Sequence, residues 1–329
     1  MEVLPGAKVV PRPQGFKGLV AVYSDNPRRD AEEIKAKVLE AEHVIPADAV
    51  VEARLGKIVE AARSVVQGRI GRDETFAVRT VRRGRHDYTS IDVNVKVGAA
   101  VKEATGAGVN LDYPDKIVCV EIIGDTAIIS VLPGSEEYKK MRPGKKPILK
   151  YLHRIALVQM PYLGPLDAAY NMGVRVGREA QNFEVKELVI APIGLTPADQ
   201  LQKFIEGVYQ GIESRYAVQK KIYARPVKRV PVYVEDLYQL VRDRFDEPII
   251  IFEPEGEPVI KMAREIFEVF EGGHGRINIL VGSREGTPVG LYRFARMVLD
   301  IAPEVTISTD LAAASAITAL ITVLEGERP

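Results

Sequence analysis

Ile277-Asn278-Ile279-Leu280-Val281-Gly282-Ser283-Arg284-Glu285-Gly286 is an apolar run that ends in a loop with two closely spaced glycines. An almost continuous apolar run of this length suits a strand covered on both faces of a parallel sheet. The pattern recurs on either side. Ile249-Ile250-Ile251-Phe252 leads into Glu253-Pro254-Glu255-Gly256, and Thr306-Ile307-Ser308 leads into Thr309-Asp310. Strands are expected at 154–160, 187–191, 248–253, 277–282 and 306–308. Helices are expected at 167–182, 197–216, 258–271, 289–299 and 311–324. This alternation predicts a three-layer α/β domain over 151–329, with ligands at the carboxyl ends of its strands. Gly282 and Gly286 would let the backbone approach a flat ligand. Their spacing is neither GxGxxG nor a Walker A loop, which disfavours dinucleotide and ATP binding in those modes.

Upstream of 151 the chain reads differently. Residues 1–68 alternate strand (18–24), helix (28–41), strand (47–54) and helix (57–67), a small α/β or α+β unit. Residues 69–132 add a strand (75–82), a helix (90–105) and a hairpin that turns at Gly124-Asp125. A Pro-, Gly- and Lys-rich stretch, 133–150, marks a basic linker before the second half. The 329 residues carry 45 basic and 45 acidic side chains, but the balance is an average. Residues 1–150 hold 25 basic against 21 acidic groups, and 151–329 hold 20 against 24. Six arginines lie between Arg69 and Arg85, and six basic residues with no acid lie between Lys139 and Lys150. Local rather than global attraction to phosphates is therefore expected. No leader and no apolar run near membrane-spanning length is evident, so a cytoplasmic protein is expected. The single Cys119 is expected to be a buried, inert thiol. His43, His86, His153 and His274 lack ligand spacing, so no metal site is expected. The absence of Trp and the abundance of Glu, Lys, Arg and Pro match a heat-adapted composition.

Three motifs in the second half together resemble the SPOUT methyltransferases, the trefoil-knot enzymes that use S-adenosylmethionine. The first runs from Leu157-Val158-Gln159-Met160-Pro161 through Asn171-Met172-Gly173 to Arg178-Glu179-Ala180 and Phe183-Glu184-Val185. The second is Val281-Gly282-Ser283-Arg284-Glu285-Gly286, and the third is Ser308-Thr309-Asp310-Leu311-Ala312-Ala313-Ala314. Upstream, Phe76-Ala77-Val78-Arg79, Arg82-Arg83-Gly84-Arg85-His86-Asp87-Tyr88 and Val120-Glu121-Ile122 look like a THUMP module. THUMP modules accompany tRNA-modifying enzymes and often follow a ferredoxin-like domain, which 1–68 could supply. The combination resembles the archaeal THUMP-SPOUT tRNA methyltransferases, including those acting on the ribose of cytidine 6 in the acceptor stem.

The resemblance implies a trefoil-knotted C-terminal domain, a homodimer and a tRNA substrate bound by its acceptor stem and 3′ end. It assigns methyl-donor binding to Glu253, Pro254, Gly256, Val281, Gly282, Ser283, Glu285, Gly286, Ile307, Ser308, Thr309 and Ala312. It assigns catalysis to Arg178, with Asn171 and Glu285 beside it. Arg is almost never neutral, so Arg178 is better read as a phosphate clamp and electrostatic stabiliser, with Glu285 or Asp310 accepting the proton. RNA contacts are expected from Arg79, Arg82, Arg83, Arg85, Lys145 and Lys146, with His86 and Tyr88 stacking on unpaired bases. A further basic patch is expected at Lys220, Lys221, Arg225, Lys228 and Arg229. Some positions depart from the family pattern. Asn171 and Arg178 are seven rather than six apart, Arg175 intervenes, Glu184 replaces a glycine, and Asp310 stands where ribose methylators commonly have Asn. Two alternatives follow: a noncatalytic tRNA-binding protein that assists another enzyme, and a base methyltransferase.

Overall fold

The computed structural model describes residues 3–326, in two compact units that divide between Pro143 and Gly144.

In the first unit, strands β1 (Lys8–Pro11) and β2 (Val20–Tyr23) form an antiparallel hairpin, and helix α1 (Pro27–Lys37) follows. The Asn26 side chain caps α1 by accepting from the Arg29 amide. Next come β3 (Ala49–Glu52), α2 (Leu55–Val65), β4 (Thr75–Arg83), α3 (Ser90–Thr105), β5 (Gly108–Val109), β6 (Lys116–Ile123) and β7 (Thr126–Pro133). The five strands form one sheet in the order β3-β7-β6-β4-β5. Helix α3 starts at a capping box, in which Thr89 and Asp92 each bond the other's backbone N–H, and it ends at Gly106 in the left-handed region. The Gly124-Asp125 turn joins β6 to β7 as read from the sequence.

The expected division at residue 68 falls inside this sheet. β3 pairs with β7, and α2 buries Ile58, Ala62 and Val66 in the same core as Phe76, Val78 and Val120. Both elements therefore belong with 69–132. Asp48, its side chain only 3% exposed, accepts from Arg28, from Arg69 and from the Val131 amide, which ties α1 to the sheet.

The second unit runs α4 (Leu149–Leu152), β8 (Ile155–Gln159), α5 (Leu166–Phe183), β9 (Glu187–Ile190), α6 (Ala198–Ile222), β10 (Val232–Val234) and α7 (Leu237–Asp243). It continues with β11 (Ile249–Pro258), α8 (Ala263–Glu271), β12 (Ile277–Val281), β13 (Met297–Asp300) and α9 (Thr309–Glu325). Its six strands are all parallel, in the order β10-β9-β8-β12-β11-β13. Alternate residues of one strand feed two cores. Ile277, Ile279 and Val281 pack with α4, α5, α6, α8 and α9, while Leu280 packs with α7 and Leu291. Each such buried side chain stabilises the fold by about 1.5–3 kcal/mol. The architecture is the expected three-layer α/β domain. No helix among the described residues is long and apolar enough to cross a membrane.

Two expectations fail at the end of the chain. The helix expected over 289–299 is a 3-10 turn (Val289–Phe294) followed by β13, and the strand expected at 306–308 is irregular. Met297 and Leu299 are buried while Val298 is half-buried, a period of two that belongs to an edge strand. β10 and α7 were not anticipated; β10 has only three residues.

Helices α5 and α6 meet backbone to backbone. A Cβ added at Gly173, Gly177, Gly207 or Gly211 would stand 2.1 Å from the carbonyl oxygen of Phe204, Val208, Tyr170 or Val174 respectively. Four glycines, two per helix and four residues apart on each, make this approach possible. Farther along, the buried Gln181 and Gln219 amides bond each other, and Gln181 also accepts from the Val230 amide. α5 ends at Glu184, which adopts φ 51° where the family pattern has glycine. The Arg225 guanidinium grips that carboxylate with both nitrogens, which offsets the cost of a side chain in the left-handed region.

Candidate active site

The carboxyl ends of β8, β11, β12 and β13 lie side by side in the sheet. β11 runs past Phe252 and breaks its pairing with β13, so that Phe252 and Glu257 both oppose Leu299. Residues 253–256 loop out between them. A Cβ at Gly256 would lie 2.5 Å from the Leu299 amide nitrogen, so only glycine lets this loop return to the strand.

Glu253 turns from this bulge toward the loop after β12, where its carboxylate accepts from the Thr287 amide. A Cβ at Gly282 would stand 2.6 Å from Glu253 Oε1 and 2.9 Å from the Gly286 backbone. Gly286 itself sits at φ 70°. Two buried polar atoms belong to residues of these strand ends and have no hydrogen-bond partner: Gln159 Oε1 and Ser283 Oγ. Gln159, at the end of β8, spends its amide donor on the Met160 and Gly282 carbonyls, 3.0 Å each. Burial, with Glu255 adding repulsion, outweighs the Thr287 bonds and pushes the Glu253 carboxyl up. The Tyr292 hydroxyl reaches Glu255 at 3.3 Å, and burial raises it to about 12. The Arg284 guanidinium lies 5.7 Å from the Tyr162 ring centroid.

The loop after β13 ends at the first turn of α9. Ser308 and Asp310 stand there, and the Ser308 hydroxyl, followed by Arg175 of α5, holds the Asp310 carboxyl below its ordinary value. Arg175 Nη1 contacts Asp310 Oδ2. Glu179, one turn along α5, is half-buried, and its Oε2 is shielded from solvent with no hydrogen-bond partner. Burial and then the Asp310 charge raise its carboxyl to about 7.

The geometry thus gathers Glu253, Gly256, Val281, Gly282, Ser283 and Gly286 at adjoining strand ends. Ile307, Ser308, Thr309 and Ala312 follow β13 and enter α9. Pro254 is exposed on the bulge, and Glu285 and Asn171 are exposed with no side-chain partner. Arg178 does not join Arg175 at Asp310. It leans to α6, where its Nη2 lies 3.5 Å from Ser214 Oγ. Gln159, Thr287, Tyr292 and Glu179 were not singled out as site residues. Gln159 and Glu179 fall inside the first SPOUT-like motif, which assigns neither of them a role, and a Gln inside an apolar strand is the further signal for Gln159.

The basic surface of the first unit also differs from expectation. The arginines of 69–85 do not form one patch. Arg69 serves Asp48, Arg79 pairs with Glu137 at 2.8 Å and Arg83 pairs with Glu121 at 2.5 Å. Arg82 lies 3.3 Å from His86 Nδ1, and His86 Nε2 donates to the Gly124 carbonyl at 2.7 Å. Tyr88 is a core residue, 7% exposed, whose hydroxyl donates to the Ala53 carbonyl, so it offers no ring to an unpaired base. Arg85 is exposed and unpaired. In the second unit, Lys146 bonds the Gly326 carbonyl, and Lys145 is exposed. In the expected 220–229 patch, Arg225 and Arg229 are neutralised by Glu184 and Glu213.

Comparison with known proteins matches residues 149–329 to the AF2226-like SPOUT RNA methylases fused to THUMP, and residues 52–132 to the THUMP domain. The chain is 39% identical over 328 residues to the uncharacterized protein MJ0421 of Methanocaldococcus jannaschii, covering 99% of this chain and 89% of that one. A shorter match, 40% identical over 68 residues, is to the tRNA (guanine(6)-N2)-methyltransferase of the same organism, covering 19% of this chain and 18% of the other. Among solved structures, the SpoU methyltransferase AviRb from Streptomyces viridochromogenes is similar over 85% of this chain and 91% of its own, at 10% identity and a TM-score of 0.36. The chain belongs to the AF2226-like SPOUT RNA methylases fused to THUMP, which are S-adenosylmethionine-dependent RNA methyltransferases.

Proposed function

We propose that the protein methylates tRNA in the acceptor-stem region, at a ribose 2′-hydroxyl such as that of cytidine 6, and that it works as a homodimer through its SPOUT unit. The observation that carries this reading is the cradle of Gly282, Gly286 and Glu253 at adjoining strand ends, in a chain that also carries a THUMP module. The name of the M. jannaschii relative, a tRNA methyltransferase, supports tRNA as the substrate.

The residues at the cradle fit S-adenosylmethionine. Gln159 Oε1 and Ser283 Oγ are buried polar atoms left without partners, as expected of groups that meet a polar ligand. A Cβ at Gly282 would collide with the Glu253 carboxylate and the Gly286 backbone, so glycine there keeps Glu253 and the loop after β12 packed together at the strand ends. Gln159 and Ser283 would hold the donor's polar edges, and Glu253 would accept from its hydroxyls. When bound, the donor supplies an electrophilic methyl group. Arg178 is exposed and free of any carboxylate, so its planar fork can take a backbone phosphate and stabilise charge growing on the attacking oxygen. Asn171, on the same helix, can orient the nucleotide. Arg85 supplies an unpaired charge for phosphates on the THUMP side.

A base nitrogen is the second reading. It is favoured by Asp310, which Ser308 and then Arg175 hold ionised where ribose methylators commonly carry Asn. Calorimetric titration with S-adenosylmethionine tests the cradle. Binding by the wild type and at least a tenfold weaker Kd for Gly282→Ala are expected; equal affinities would contradict it. Incorporation of labelled methyl into unfractionated tRNA tests the substrate.

A further inference from the structure

The transfer proposed above must dispose of a proton, and Arg178 cannot take it, because a guanidinium stays charged. Outside the donor cradle, two carboxyls and a guanidinium meet at the seam of α5 and α9. Arg175 is the outermost, with a side chain 60% exposed, and Asp310 is 17% exposed. Glu179 lies behind them, with Oε2 shielded from solvent and without a partner. Arg175 and Glu179 are four residues apart on α5 and so share a face. Asp310 from α9 and Arg175 from α5 are the charged groups acting on Glu179. The glycines of α5 face α6. One cation between two carboxyls leaves a net negative charge in a half-buried place, so the cluster holds one exchangeable proton near neutrality. Asp310 stands in the first turn of α9, which the loop after β13 leads into.

The geometry points to the Glu179–Asp310 pair as the proton store of the reaction, with Glu179 as a positioning residue that acts through Asp310. The inference rests on the methyltransferase reading. In the step, a lone pair of the target oxygen or nitrogen forms the bond to the methyl carbon. The carbon–sulfur bond breaks, and its electrons remain on sulfur and cancel the sulfonium charge. The proton displaced from the target passes to the Asp310 carboxylate, and Glu179, the weaker acid of the two, keeps it until it is lost to solvent. Arg175 contacts Asp310, and the Ser308 hydroxyl followed by Arg175 keeps it the stronger acid. Neither a metal nor a redox partner is needed to balance the step.

The test is single-turnover methyl transfer to tRNA from pH 5.5 to 9 for the full-length wild type and Glu179→Gln, with the S-adenosylmethionine Kd measured in parallel. The wild-type rate should rise about tenfold per pH unit and level off above about 7. Glu179→Gln should lose that inflection and run about 10²-fold slower, with a cofactor Kd within about twofold of wild type, a pattern that a merely structural role would not give. A wild-type rate and profile in Glu179→Gln would overturn the inference alone. A wild type that transfers no methyl group would overturn the underlying reading as well. If the variant does not fold, carbon-13 titration of the Glu179 carboxyl in the wild-type chain decides. An inflection near 7 is expected, and an ordinary glutamate titration overturns the proposal.

Discussion

Arg175 of α5 and Asp310 of α9, 135 residues apart in the chain, are in direct contact, and the contact separates the roles of the two arginines on the α5 face. Arg175 is committed to a carboxylate, whereas Arg178 meets only a hydroxyl at the limit of hydrogen-bond distance. Arg178 is therefore the arginine free to meet RNA. Arg178→Lys keeps the charge and loses the bidentate fork. It should lower kcat/KM for tRNA methylation by about 10- to 100-fold, a loss of roughly 1.4–2.8 kcal/mol in transition-state stabilisation. Near wild-type turnover would remove the clamp from the mechanism.

The glycine contact between α5 and α6 makes a stability prediction. Gly177→Ala would place a Cβ 2.1 Å from the Val208 carbonyl oxygen, and the gain in helix propensity, about 1 kcal/mol, is too small to offset the backbone displacement. A net loss of about 1–3 kcal/mol is expected. In thermal unfolding each kcal/mol should lower the Tm of this unit by about 2–4 °C. Gly56→Ala in α2 of the first unit, where a Cβ meets nothing within 4 Å, should not destabilise that unit. Equal Tm values for Gly177→Ala and wild type would show that the helices can part without cost.

Charge on the THUMP side is expected to act through few residues. Arg85→Ala should weaken tRNA binding and reduce the slope of log K against log salt by about one. Arg83→Ala should change the slope less, because Arg83 is already paired with Glu121. Fluorescence anisotropy between low and moderate salt reads both. A salt-independent affinity would remove phosphate attraction from the account.

Glu179 also links stability to pH. Its carboxyl titrates higher in the folded chain than in the unfolded one, mainly through burial. The folded state therefore keeps a proton that the unfolded state releases between about 4.5 and about 7. Its contribution is fully present below the unfolded value and is lost as pH rises through the folded one. Glu179→Gln should flatten that decline. Urea unfolding at pH 5 and pH 8 measures it, and an equal pH dependence in both proteins would contradict the assignment.

The strands and their glycine exits were legible because an uninterrupted apolar run and a glycine loop are local signals. Ile277–Val281 and Gly282 needed no partner to be read. β13 was not legible in that way. Met297–Asp300 is four residues long and becomes a strand through pairing with β11, while the turn at Val289–Phe294 carries the apolar spacing of a helix. The RNA-binding residues were misread for a related reason. Composition counts arginines but does not show that Glu121 and Glu137 come back across the sheet to neutralise two of them. Tyr88 stands among charged neighbours in sequence, yet it fills the core beneath α2 and α3. Glu184 was visible as a departure from a glycine, but Arg225, the residue that makes it tolerable, lies 41 positions away. Glu179 acquires its character from burial against α9, which no spacing within α5 reveals.

The most direct test of the central claim is nucleoside mass spectrometry of tRNA incubated with the protein and isotope-labelled S-adenosylmethionine, followed by mapping of the labelled fragment. The account predicts a labelled 2′-O-methylnucleoside in the acceptor stem, absent when the protein is omitted. A label confined to a base would select the second reading. No label in any tRNA, under conditions where S-adenosylmethionine is shown to bind, would contradict the account.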